Sequence, residues 1–382
     1  MKSILYFLKT NMKVYNSNTL VNLSNSILKA FNATIFHETI PEIDEIIKGH
    51  KKIVLVLFDG MGQNITRLHL KESSYIRSHY VHTINSVYPP TTAAATTSVL
   101  TGKYPIETGW LAWDTYFPEV DRNIILFRGK DYNTGETVDP GIAFKKYPNK
   151  SIFELIKEAD NQVETFAVQR FPIQKNGPKS LRIARKLIKN HLQNQEKAFG
   201  YFYWDTPDME MHENGIYASI IRRKVHQLNR FMKKLTKENL DTLFILIADH
   251  GHVNTEYIDL SEYEDIYSLL KRPMCLEKRT PSFFIKDGKQ DEFKSLFNLY
   301  YGKDFDLLSK QEVLDCKLFG EGTPRDGVID SFGDFVALSR GKYSIFSSKE
   351  FKFDKISDIT YPGHHGGGTD EERLIDVSIY NV

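Results

Sequence analysis

Cysteine is almost missing from this chain: Cys275 and Cys316 are the only two in 382 residues. That excludes a disulfide framework and a cysteine-ligated zinc site. An excess of charge is missing too, with 50 Lys+Arg against 49 Asp+Glu and a formal net charge of +1. Broad nucleic-acid affinity needs a basic footprint that releases counterions, so no stable nucleic-acid partner is expected. No apolar stretch reaches the ~20 residues that span a bilayer. The N-terminal run Ile4-Leu5-Tyr6-Phe7-Leu8 is too short for a signal h-region, and no small-residue cleavage site follows it. The expectation is a soluble, cytoplasmic protein with no membrane partner. Repeats, low-complexity tracts and long linkers are absent as well. With 41% hydrophobic and 26% charged residues, the composition supports a large core. At about 150 residues per domain, the length allows two or three domains, or one large α/β domain carrying an insertion.

What is present alternates between strand-like and helix-like segments, the pattern of an α/β protein with a mainly parallel sheet. Lys52 to Phe58 (KIVLVLF) is a continuous apolar run ending in Asp59-Gly60, which reads as a buried strand. Further strands are expected at 81–88, 163–168, 198–204 and 242–248. Helical spacing of apolar residues marks 20–31, 41–48, 178–193 and 217–235. Two segments interrupt the alternation. Residues 110–150, rich in aromatics, Asp, Gly and Pro, read as an active-site rim. Residues 255–360 mix short helices and strands and read as a small subdomain inside one catalytic domain spanning 1–382.

Acidic and imidazole residues gather after the expected strands, where open α/β sheets place their ligand sites. Asp59 ends the first strand. Asp205, Asp208 and His212 follow the strand at 198–204, and Asp208 and His212 are four apart on one helix face. Asp249 and His250 end the strand at 242–248, and burying such a pair without a partner is expensive. His364 and His365 sit in a glycine-rich loop that lets backbone approach an ion. Oxygen and nitrogen donors of this kind suit Zn2+, with Mn2+ as the alternative. His252 and His364 are expected to support the site rather than bind metal. In the segment 88–98 (YPPTTAAATTS) a strand stops at two prolines and an Ala-rich helix begins. Thr91 or Thr92 there can simply cap the helix. Equally, the helix start can bind a phosphate while one of these hydroxyls attacks it. Thr96, Thr97 and Ser98 lie further in and read as packing or back-bonding residues.

Asp59, the segment PPTTAAATTSVLTGKYP, TPDMEMH, ADHG and GHHG together resemble the alkaline phosphatase superfamily, and most closely its type I phosphodiesterase/nucleotide pyrophosphatase branch. The resemblance implies a doubly wound, mainly parallel sheet with helices on both faces. It implies one metal on Asp208, His212 and His365, and a second on Asp59, Asp249, His250 and the nucleophile hydroxyl. It places that nucleophile on Thr92, with Thr91 as the fallback, and implies a phosphothreonine intermediate in a metal-dependent phosphoric ester hydrolase. Its substrate would be a small phosphate ester or nucleotide. In one respect the chain departs: the asparagine usually found three residues after the nucleophile is Ala95. Sulfatases are disfavoured because no Cys or Ser nucleophile stands in their motif. Alternatives are a phosphomonoesterase or phosphonate hydrolase with the same metals, or a phosphoryl-binding protein without turnover. Trp110, Trp113 and Tyr116, directly after the nucleophile helix, are expected to form a rim on which an organic group stacks.

Overall fold

The continuous apolar run at Lys52–Phe58 forms strand β1, and six of its seven residues are buried because neighbours cover both faces of the sheet. This computed structural model describes residues 18–170, 173–351 and 360–382, so the apolar run at 4–8 lies outside the described residues. Around β1, the strands β2 (Tyr80–Asn85), β6 (Glu164–Gln169), β7 (Ala198–Trp204), β8 (Leu243–Ile247) and β17 (Leu374–Tyr380) complete a six-stranded sheet in the order β2-β17-β8-β1-β7-β6. β8, β1, β7 and β6 pair in parallel, and β17 runs antiparallel to both β2 and β8. The sheet is therefore mainly parallel, as the sequence pattern implies. β2 stops at Asn85, short of the expected 88. There the Ser86 N–H turns to the carbonyl of Arg373, and Pro89 and Pro90 have no N–H to continue a ladder.

Side chains three apart on a strand point to opposite faces. Phe199 packs on Phe31 and Phe153, while Phe202 packs on Phe231 of the helix Ser219–Lys237. Helices thus cover both faces. Gly200, between those two, leaves room for a neighbour: a Cβ there would lie 2.3 Å from the Phe166 ring. Gly200→Ala is expected to overpack this layer and destabilise the protein by about 1–3 kcal/mol. A urea unfolding midpoint equal to wild type would contradict that.

The two interrupting segments meet in a second, antiparallel sheet of seven strands. β3 (Asp114–Phe117), β4 (Arg122–Ile125) and β5 (Lys130–Asp131) come from the first segment. β11 (Cys275–Glu277), β12 (Thr280–Phe283), β13 (Phe305–Ser309) and β14 (Phe335–Ser339) come from the second, and the order is β13-β14-β12-β11-β3-β4-β5. Two short pairs tie loops together: β10 (Glu256–Asp259) with β15 (Tyr343–Phe346), and β9 (Val253–Asn254) with β16 (Gly363–His364). Among the described residues no helix is long and apolar enough to cross a membrane.

Candidate active site

The loops leaving β1, β7 and β8 at their C-terminal ends, together with the segments around Thr92 and His365, converge on one buried cluster. Asp59 follows β1, Asp208 begins a helix just after β7, and Asp249 and His250 follow β8. Gly60 is needed for this approach. Its φ is +70°, and a Cβ would meet the Met211 and Asp208 side chains at 2.9 and 3.0 Å. The Gly60 N–H donates to Asp249 Oδ1 at 3.0 Å, fixing that carboxylate against the β1 loop.

Thr91 is the extended residue before the helix Thr92–Thr101 and contributes no side-chain cap, so Thr92 is the first helical residue. Thr92 Oγ1 lies 3.2 Å from His250 Nε2 and 3.4 and 3.5 Å from the two Asp59 oxygens. His250 Nε2 is 3.3 Å from Asp59 Oδ1 and 3.6 Å from Asp249 Oδ2. Four of the expected residues therefore share one point. Thr96 Oγ1 donates back to the Thr92 carbonyl at 2.6 Å, the back-bonding role its position suggests. Ala93, Ala94 and Ala95 are fully buried, which accounts for the small side chains of this helix start.

Asp208, His212 and His365 form the other half. His212 Nε2 is 3.4 Å from Asp208 Oδ2, and His365 Nε2 is 3.7 Å from Asp208 Oδ1. The His250 and His365 rings stack with centroids 3.7 Å apart, so the two halves touch. Three imidazoles share one arrangement. Nδ1 of His212, His250 and His365 sits 3.0, 2.9 and 3.1 Å from the carbonyls of Gly363, Gly251 and Pro90. Backbone acceptors hold a proton on Nδ1 and turn Nε2 toward the carboxylates, the orientation metal ligands need.

The charges explain what this cluster is for. Burial and the nearby Asp59 carboxylate raise Asp249 well above the usual carboxylate range. Burial opposes charge on His250, but Asp249 and Asp59 outweigh it and push the imidazole up to about 10. Burial also opposes charge on Asp208, and His212 outweighs it and holds that carboxyl well below its ordinary value. His365 is driven well below the imidazole range by burial. Asp208 Oδ1 and Asp249 Oδ2 are buried with no hydrogen-bond partner. Carboxylates left this way are expensive unless a cation neutralises them. Among the described residues, the donor groups that could hold a metal ion are Asp208, His212, His252 and His365, and Asp59, Asp208 and His250, each set with ligand atoms within 4.8 Å of one another. Asp208 belongs to both.

Of the three aromatics expected to form a rim, Trp110 and Tyr116 stand apart from this cluster. Trp110 is 2% exposed and packs with Phe117, Ile124 and Tyr147, because it lies beneath Phe127 and Phe144. Tyr116 stacks under the Arg272 guanidinium, 3.3 Å from its ring centroid, in a cleft lined also by Phe284 and Lys310. Neither joins the cluster. Trp113 is tied to it through its backbone N–H, which donates to Glu277 Oε1 at 2.9 Å, and Glu277 packs against Gly366. Sequence reading missed three supporting residues. Tyr203 donates from its hydroxyl to Asp59 Oδ2, and β7, buried along its whole length, offers no alternation that would have marked it. Arg279 and Glu372 form a fully buried ion pair that braces the His365 loop, and neither lies in a recognisable motif. Asp205, noted at the end of β7, pairs with Arg170 at 2.6 Å instead of entering the cluster.

The family model for type I phosphodiesterase / nucleotide pyrophosphatase matches residues 53–367. No curated protein sequence matches this chain. Among solved structures, an inactive threonine-to-alanine variant of murine ectonucleotide pyrophosphatase / phosphodiesterase 5, in complex with AMP, is 17% identical with a TM-score of 0.63. The alignment covers 86% of this chain and 87% of that one. The human protein of the same name is 16% identical over the same shares, also with a TM-score of 0.63. These likenesses establish an alkaline phosphatase-like α/β fold. With the matched segment running from the start of β1 through the glycines after His365, the chain belongs to the type I phosphodiesterase / nucleotide pyrophosphatase family, and is a hydrolase of phosphoric ester or pyrophosphate bonds.

Proposed function

We propose that this hydrolase cleaves phosphodiesters or pyrophosphates in two displacements, with Thr92 as the nucleophile beside two divalent cations, Zn2+ first and Mn2+ as the alternative. The observation that carries this reading is the position of Thr92 Oγ1, 3.2 Å from His250 Nε2 and within 3.5 Å of both Asp59 oxygens, at a helix start. Asp208, His212 and His365 would hold one cation, and Asp59, Asp249 and His250 the other. Such ions, when bound, neutralise phosphoryl charge and lower the pKa of a coordinated hydroxyl.

The chain's own residues supply the rest. N–H groups at positions 92–94 have no intrahelical acceptor and, with the helix dipole, receive phosphoryl oxygens. With Ala95 in place of the family's asparagine, those backbone donors carry that contact alone. Thr92 Oγ gives up its proton and forms a bond to phosphorus while the bond to the leaving oxygen breaks, and that oxygen departs with the electron pair and takes up a proton. Water then displaces Thr92 from phosphorus, one of its protons passing to Thr92 Oγ, which releases the phosphate product and returns the hydroxyl. Pre-positioned charge supplies most of such an acceleration. A nucleotide substrate is in keeping with the AMP-bound murine relative.

The test is substrate preference with Zn2+ and Mn2+ supplied. Bis-p-nitrophenyl phosphate and p-nitrophenyl nucleotide esters should be hydrolysed with higher kcat/KM than p-nitrophenyl phosphate. The reverse order would replace this reading with a phosphomonoesterase. Metal analysis gives a second check: about two ions per chain, falling in Asp249→Asn and His365→Ala. Because ligands from distant segments are tied together, chelation should lower thermal stability, by about 2.7 kcal/mol for each ion supplied at 100 times its Kd. A chelated protein with unchanged Tm would contradict that.

A further inference from the structure

The geometry points to His252 as an additional protein ligand of the cation on Asp208, His212 and His365, an inference that rests on the two-metal reading above. His252 is fully buried, its Nδ1 has no hydrogen-bond partner, and its Nε2 has only a poorly aligned contact with Asp208. A buried imidazole so placed is destabilised by about 1–3 kcal/mol for each unsatisfied group, unless something else occupies its lone pair. Its Nε2 lies 3.2 Å from Asp208 Oδ1 but is not aligned to donate to it. Among the described residues it falls in one set with Asp208, His212 and His365, all four offering donor atoms within 4.8 Å of one another. A core histidine kept for packing would instead show ordinary hydrogen bonds or an apolar surround.

The surrounding structure is built to keep the ring there. Asn64 donates to the His252 carbonyl at 2.7 Å. The next residues, Val253 and Asn254, pair with His364 and Gly363, which joins the β8 loop to the loop carrying His365. Gly363 leaves the ring its space, since a Cβ there would stand 3.0 Å from His252 Cε1 and 3.1 Å from Nδ1. The neighbouring His212 ring is 4.7 Å away, centroid to centroid.

Three imidazoles and one carboxylate would already fill a tetrahedral ion, so a substrate oxygen requires a fifth position. The cation fitting this half is therefore a divalent first-row ion that accepts at least five ligands. The resemblance to the family implies only Asp208, His212 and His365 here, so a ligand role for His252 goes beyond it.

Co2+ binding tests it directly. Metal-stripped wild type, His252→Ala and His252→Asn would be titrated with Co2+ against a competing chelator, and the visible spectrum of each saturated protein recorded. One of the two ions should bind more than about 100-fold more weakly in the variants, beyond what loss of a merely supporting partner causes. The spectrum at saturation should change as well, reporting an altered coordination sphere. Weaker binding with an unchanged spectrum would mean that His252 only orients Asp208, and would overturn the inference. So would two ions bound with wild-type affinity. His252→Asn carries the test if His252→Ala does not fold. A wild-type protein that binds no ion overturns the two-metal reading itself, and this inference with it, whereas variants matching a two-ion wild type overturn only the role of His252.

Discussion

Thr92→Ala is expected to lower kcat by about 10^3-fold or more while leaving the fold and the metal content intact. Removing a covalent nucleophile commonly costs several orders of magnitude, because other groups bind the substrate but cannot form the bond. The hydroxyl is partly exposed at the first helical residue and reaches only Asp59 and His250, so its loss opens no core cavity. Thr91→Ala is the matched control. Thr91 is fully buried and precedes the helix, and its removal should act on stability before chemistry. Steady-state kinetics on a diester, with metal content measured in parallel, distinguishes them. Near wild-type turnover in Thr92→Ala with loss in Thr91→Ala would move the nucleophile by one residue.

The largest stability effect should follow Glu372→Ala. Arg279 Nε and Nη2 donate to the two Glu372 oxygens at 2.6 and 2.8 Å, and both side chains are fully buried. Glu372 also accepts from the Gly367 N–H and the Thr369 hydroxyl, each at 2.7 Å, and its carbonyl accepts from the Gly251 N–H at 2.7 Å. One residue thus braces the loops that carry His365 and His250. Removing it strands the guanidinium in the interior, which costs about 3–5 kcal/mol. Paired replacement by Arg279→Met and Glu372→Leu should recover part of that loss, since an apolar pair leaves no buried charge. Urea unfolding of the single and double variants reads both. A single variant within about 0.5 kcal/mol of wild type, the range of ordinary surface changes, would contradict the account.

How much of this was legible in the sequence depended on whether the physics was local. β1 and β7 were readable because a parallel strand buried on both faces needs an unbroken apolar run, and KIVLVLF and AFGYFYW are such runs. The helix Ser219–Lys237 was readable from its apolar stripe. The nearness of Asp59, Asp208, Asp249 and His250 was readable because open α/β sheets bring the loops at their strand ends together. The second sheet was not, since β3 pairs with β11 across more than a hundred residues of intervening chain and only tertiary contacts set that partner. Trp110 was misplaced for the same reason: composition marks a residue as aromatic, but Phe127 and Phe144 decide that it is covered. The Arg279–Glu372 pair lies in two charged segments that look solvated in sequence, and the fold alone shows both side chains buried.

The central claim, covalent attack by Thr92 followed by water, is tested most directly by stereochemistry at phosphorus. A chiral phosphorothioate diester hydrolysed in isotopically labelled water yields a product whose configuration counts the displacements. Two in-line displacements, one forming the bond to Thr92 and one breaking it, predict overall retention. Overall inversion would mean a single attack by water and would contradict the account.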